Sequence, residues 1–237
     1  MEFAEYFQRI YIINLPARID RRREMEAQLE SIGLGTGNSV VTFFPAVRPD
    51  SAGGFPSIGA RGCFSSHLEV LRDAARSGFE RILILEDDVD FARDFALRID
   101  SIIKRLRNEP WGIFYGGYQL WAPTENEDGG IVEIPSGDAV QTSHFVGFQA
   151  AVVRRLVVYL EQMLTRPAGD PDGGPMHVDG AYSWFRRQCH DVRTLAAVPE
   201  MGHQRSSRTD IHDLRWYDRL PLVRNGMAAL RRIKNRV

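Results

Sequence analysis

The chain has 237 residues, of which 43% are apolar, enough to bury a sizeable core within one large domain. Its charged, Gly and Pro contents exclude fibrous, collagen-like and wholly disordered classes, and a formal net charge of −1 excludes the cationic surplus on which nucleic-acid affinity rests. Two distant cysteines, Cys63 and Cys189, exclude a disulfide framework and cannot by themselves close a zinc site.

The first element in chain order is Arg9 to Leu15, a β-branched and aromatic run that Pro16 ends, as a buried strand reads. A helix should follow, with Asp20 placed to cap it, Met25, Leu29 and Ile32 on one face and Gly33 at its end. Val40 to Phe44 predicts a second strand. After the Gly/Pro-rich loop from Pro49 to Gly59, Phe64, Leu68, Leu71 and Ala75 predict a helix ending at Gly78. Arg81 to Leu85 is the third strand, Phe95 to Leu106 a further amphipathic helix, and Trp111 to Tyr115 a further strand. Thr124 to Gly137 reads as a surface excursion, Phe148 to Val153 as a strand, Arg154 to Leu164 as a helix and Pro167 to Pro175 as a loop. The alternation predicts an α/β fold, a single domain over residues 1–218 with a mainly parallel central sheet flanked by helices. Residues 219–237 hold six basic residues and no carboxylate among apolar ones. They suit either a basic amphipathic helix on an anionic membrane surface or a solvated terminal helix. With no secretory leader pattern and no apolar run of spanning length, the expected location is cytoplasmic, with peripheral attachment to the inner face of the membrane if that tail binds lipid.

Ligands of open α/β sheets sit at the carboxyl ends of strands, and there the third strand carries Glu86, Asp87, Asp88 and Asp90. Two such charges about 4 Å apart repel by roughly 1 kcal/mol in water and several-fold more where solvent is excluded. A hard divalent cation with oxygen ligands, or full solvation, is therefore expected. Capping of the next helix is the competing reading, and phosphatases and receiver domains also place aspartates at strand ends.

Three segments together resemble glycosyltransferase family 25, the lipooligosaccharide and collagen galactosyltransferases. They are Ile13-Asn14-Leu15 with Arg18 and Asp20-Arg21; Gly59 through Gly62-Cys63 to Ser66-His67; and Leu85-Glu86-Asp87-Asp88-Val89 ending in Phe91. Weaker matches follow at Phe145 to Leu156, Val178-Asp179 and Gln204 to Ile211. The resemblance implies a GT-A-like fold, a UDP-sugar donor (most often UDP-galactose), Mn²⁺ or Mg²⁺, and inverting transfer to a saccharide or glycolipid hydroxyl in surface polysaccharide or lipooligosaccharide synthesis. A non-catalytic nucleotide-sugar-binding protein of the same fold is the alternative.

Under that resemblance Asp88 is the first choice for direct metal ligation, with Glu86 and His203 as further ligands, and Glu86 and Asp87 can also hold the ribose or a metal-bound water. Asn14, Arg18 and Arg21 lie where the first strand gives way to its helix, a position suited to a nucleotide phosphate. The Arg21-Arg22-Arg23 run also suits a solvated helix face. Ser66 and His67 are expected to support the donor site by orienting the carboxylates, although His67 otherwise reads as a core histidine. Asp179, ahead of Tyr182, Trp184 and Phe185, is the expected base for the attacking hydroxyl, or else a helix cap. His177 rivals His203 as a ligand, and Arg205 and Arg208 either close over the diphosphate or remain surface charge.

Overall fold

The computed structural model describes residues 2–35, 37–119 and 130–205; the basic tail, Arg208 and part of the expected excursion lie outside these. A short helix α1 (Glu2–Tyr6) precedes strand β1 (Arg9–Asn14), helix α2 (Ile19–Ser31), β2 (Val41–Pro45) and the long helix α3 (Ile58–Ser77). Strands β3 (Arg81–Glu86) and β4 (Val89–Phe91), helix α4 (Phe95–Asn108) and strands β5 (Ile113–Gln119), β6 (Gly130–Glu133) and β7 (Gln141–Gln149) follow. Helices α5 (Ala150–Leu164) and α6 (Val178–Gln188) and strands β8 (Thr194–Val198) and β9 (Gly202–Gln204) complete the described chain.

Seven strands form one sheet in the order β2-β1-β3-β7-β5-β8-β6, and β4 pairs with β9 beside it. The pairs β1/β2, β1/β3 and β5/β8 are parallel, whereas β7 runs antiparallel to both β3 and β5, and β6 antiparallel to β8. The α/β architecture with helices on both faces is as expected, and the sheet is mixed through β7 and the edge strand β6. Both faces are apolar because each strand alternates between two cores. Tyr11, Ile13, Ile82, Ile84, Val146 and Phe148 pack with residues of α3, α5 and α6. Ile10, Ile12, Leu83, Leu85 and Phe145 pack with those of α1, α2 and α4.

Four local expectations are corrected. Asp20 does not cap α2: Arg18 holds the cap position, and Arg18 Nε and Nη2 donate to the Asp20 carboxylate at 3.0 and 2.8 Å. The expected strand from Phe148 to Val153 is the end of β7 followed by α5, because Val152, Val153, Leu156 and Leu160 recur at helical spacing on a buried face. There, burial overrides the extended preference of β-branched residues. Gly130 to Glu133, placed in the surface excursion, pairs along β8 as the edge strand. The strand expected from Trp111 begins at Ile113, while Trp111 Nε1 donates to the Tyr6 hydroxyl at 2.9 Å.

Helix α3 follows its local signals: the Ser57 side chain accepts from Ala60 N, and Gly78 ends it in a left-handed conformation at φ 70°. This helix carries the Cys63 to His67 segment toward the strand ends. Among the described residues no helix is long and apolar enough to cross a membrane.

Candidate active site at the acidic strand edge

The carboxyl ends of β1 and β3 and the start of the oppositely directed β7 share one edge of the sheet, so Asn14, Glu86 and Ser143 meet there. The three consecutive acids after Leu85 turn three ways. Glu86 Oε1 accepts from Ser143 Oγ at 2.8 Å and lies 3.4 Å from His67 Nε2. Asp87 accepts from Asn14 Nδ2 and from Arg21 Nη1, both at 2.7 Å. Asp88 is only 3% exposed; its Oδ2 lies 3.6 Å from Arg21 Nη1 and 3.5 Å from Gln204 Nε2. Its Oδ1 is buried with no hydrogen-bond partner among the described residues.

The electrostatics separate these acids further. Burial would raise the Glu86 pKa, but the hydrogen bonds from His67 and Ser143 outweigh it and the group stays below the usual carboxylate range. Asp88 moves the other way: burial and then the Glu86 charge push it up to about 7, against the pull of Arg21. A buried carboxylate with an unmatched oxygen and a charge disfavoured at neutral pH fits a hard divalent cation, which would hold it ionised.

The other expected site residues divide into those gathered at this edge and those committed elsewhere. Asn14 and Arg21 converge on Asp87. Arg18 pairs with Asp20, and its carbonyl accepts from Asn14 Nδ2 at 3.3 Å. Ser66 Oγ donates to the Gly62 carbonyl at 2.6 Å and accepts from Val47 N at 2.8 Å, which ties the loop after β2 to α3. His67 is fully buried, with Nδ1 2.9 Å from the Tyr182 hydroxyl. Asp179 lies in the first turn of α6 behind the cap residue His177; its Oδ2 accepts from Thr142 N at 3.0 Å and its Oδ1 from Gly180 N at 2.8 Å. His203 is exposed, with Nδ1 3.1 Å from Glu200 Oε2. That bond, more than burial opposes, raises the His203 pKa and favours the protonated ring, whereas a metal ligand must be neutral. Arg205 donates from Nε and Nη2 to Asp90 Oδ1 at 2.9 and 2.6 Å and pairs with Glu24, and its backbone N–H donates to the Asp88 carbonyl. It thus latches β9 beside the acidic turn.

Sequence reasoning missed the β7 contribution. Adjacent residues Thr142 and Ser143 hold Asp179 and Glu86, so one step of backbone links two carboxylates of the site. Thr142 adopts φ 68°, a left-handed conformation rare for a β-branched residue and typical of functional sites. His144 Nε2 lies 3.2 Å from the Gly202 carbonyl, which can only accept, so Nε2 carries the proton and Nδ1 accepts from Thr142 Oγ1 at 3.1 Å. Burial lowers the His144 pKa and keeps this neutral tautomer. Gly117 permits the arrangement, since a methyl there would overlap His144 Nε2 and the Gly202 carbonyl. The only sequence signal for it is the Gly116-Gly117 pair inside a strand.

The sequence model described as Glycosyltransferase family 25 (LPS biosynthesis protein) matches residues 7–128, which include Asn14, Arg21, His67 and Glu86 to Asp88 but stop before Asp179 and His203. The chain is 26% identical over 222 residues to a Bos taurus protein named "Probable inactive glycosyltransferase 25 family member 3", covering 81% of this chain and 37% of that protein. It is 30% identical over 130 residues to an Aedes aegypti glycosyltransferase 25 family member, covering 46% of this chain and 21% of that protein. The chain thus spans about a fifth to two fifths of the length of these relatives. A glycosyltransferase involved in glycosylation of the major capsid of PBCV-1 superimposes with a TM-score of 0.48 at 12% identity, over 85% of this chain and 96% of that one.

Proposed function

The chain belongs to glycosyltransferase family 25, and from that membership we propose that it transfers a sugar, galactose in the first instance, from a UDP-sugar to a saccharide or glycolipid hydroxyl with inversion. The observation that carries this reading is Asp88, a buried carboxylate whose Oδ1 has no hydrogen-bond partner among the described residues and whose ionised form burial disfavours. Asp88 would hold Mn²⁺ or Mg²⁺ directly, with Glu86 beside it, and His203 could join only by surrendering the proton that Glu200 favours. When bound, such an ion supplies Lewis-acid stabilisation of the charge that develops on the departing diphosphate.

The chain's own residues would do the rest. Asn14 and Arg21 fix Asp87 at the mouth of β1, where it can accept from a ribose hydroxyl. Asp179 is the proposed base: the acceptor oxygen attacks the anomeric carbon, the bond to UDP breaks with its electron pair on the leaving group, and the hydroxyl proton passes to Asp179. Its two backbone N–H bonds orient the carboxylate and leave acceptor lone pairs open. A surface-saccharide role and attachment of residues 219–237 to anionic membranes belong to the same proposal.

Incubation with UDP-sugars, with and without Mn²⁺, followed by measurement of UDP release, tests it: metal-dependent, donor-selective release is expected, and binding of no nucleotide sugar would overturn it. The name of the Bos taurus relative favours a second reading, a non-catalytic nucleotide-sugar binder. In that case Asp179→Asn would change nothing measurable beyond background.

A further inference from the structure

Cys63 plays no part in the proposed transfer, yet it lies at the site with ligand-bearing neighbours. Cys63 and His67 are four residues apart on α3, so both side chains leave the same face of the helix, and Glu86 meets them from the end of β3. One ligand atom from each of the three lies within 4.8 Å of the other two. His67 Nε2 and Glu86 Oε1 are 3.4 Å apart. That matches the edge of a tetrahedron with ligands about 2.0–2.1 Å from zinc, roughly 3.3 Å. On the far side of the ring, His67 Nδ1 lies 2.9 Å from the Tyr182 hydroxyl, the kind of outer contact that fixes the tautomer of a metal-ligating histidine. Tyr182 and His67 are both fully buried, so this contact sits within the packed core.

We propose that Cys63, His67 and Glu86 form a second cation site, adjoining the Asp88 site and sharing Glu86 with it, for a thiophilic ion of the Zn²⁺ class. Softness sorts the two: a hard ion prefers the oxygen of Asp88, and sulfur with imidazole prefers zinc. On binding, bonds form from the ion to Cys63 Sγ, His67 Nε2 and a Glu86 oxygen. The thiol proton is released to solvent, the imidazole proton resides on Nδ1 and is donated to Tyr182 Oη, and water completes four-coordination. With the site empty, Nε2–H would donate to Glu86 instead. The proposal stands whether or not the chain transfers sugar.

The test uses the full chain and Co²⁺, whose bond to a thiolate produces a near-ultraviolet charge-transfer band. The wild type should show this band and lose it when Zn²⁺ displaces Co²⁺. Cys63→Ser should abolish it, Asp88→Asn should retain it, and Tyr182→Phe should weaken Zn²⁺ binding by about 10-fold or more. Absence of the band in the wild type, its persistence in Cys63→Ser, or its loss in Asp88→Asn would overturn the assignment. If Cys63→Ser fails to fold, alkylation of the wild type mapped by mass spectrometry decides. Protection of the Cys63 peptide by Zn²⁺ but not Mn²⁺ supports the site, and equal labelling with and without Zn²⁺ contradicts it.

Discussion

Replacing Asp88 by Asn should stabilise the ion-free protein, the reverse of what removal of an engaged buried carboxylate does. The Asp88 pKa rises from 3.8 to about 7 in the fold, through burial and the Glu86 charge. At about 1.4 kcal/mol per unit this disfavours the ionised form by on the order of 4 kcal/mol. The native chain therefore binds more protons than the unfolded chain between those two values, and its stability falls as pH rises through that window. Above pH 7 the whole penalty is present, and Asn removes it. Because the titration is shared with Glu86, the expected gain at pH 8 is about 2–4 kcal/mol, roughly 5–15 °C in Tm for a chain of this size. Wild type and variant should converge toward pH 4. Manganese should close most of that gap, adding about 2.7 kcal/mol to the wild type at a hundredfold excess over its Kd and nothing to the variant. Thermal unfolding at pH 4, 6 and 8, with and without Mn²⁺, reads all of this. An Asp88→Asn protein that melts below the wild type at pH 8 without ions would refute the reasoning.

Asp179→Asn should lower turnover by about 10²–10⁴-fold while leaving donor affinity in place, measured by steady-state kinetics beside calorimetry. Arg21→Ala, which strands the buried Asp87 carboxylate, should cost about 3 kcal/mol in a denaturant titration. Arg22→Ala should cost only about 0.5–1 kcal/mol, since Arg22 lies over the Phe43 ring at 4.3 Å on an exposed face. Arg186→Met should destabilise by about 3 kcal/mol in the same assay, because the fully buried guanidinium donates to the Ile134, Pro135 and Asp138 carbonyls and to Thr194 Oγ1. Gly117→Ala should detach β9, seen as faster amide exchange at 202–204, and weaken metal-linked donor binding.

The parts legible in the sequence were those whose signals are local. The β-branched runs of β1 and β3, the Ser57-to-Gly78 span of α3 and the acidic end of β3 each announce themselves within about 20 residues, and the folded elements set Asn14 and Arg21 against Asp87 with Asp88 beside them. The β7 contribution was not legible. Gln141 to Ser143 carry no strand pattern of their own, and their place at the start of β7 follows from the pairing of that strand with β3 and β5. The short strands β4 and β9 exist only through each other, and β8, rich in Ala, has little intrinsic β-preference. For the same reason alternation along β9 could not be foreseen to turn Gln204 toward Asp88 and His203 toward Glu200. Ser66 shows a different limit: a hydroxyl one residue from His67 suits a donor site equally well as a loop tie, and only the positions of Val47 and Gly62 distinguish the two.

The most direct test is calorimetric titration of UDP into the full chain and into Asp88→Asn, each with and without Mn²⁺. The prediction is saturable binding by the wild type only when the ion is present, and none by the variant under either condition. Equal UDP affinity without the ion, or unchanged ion-dependent affinity in the variant, would contradict a cation seated on Asp88 as the link between this chain and a nucleotide sugar.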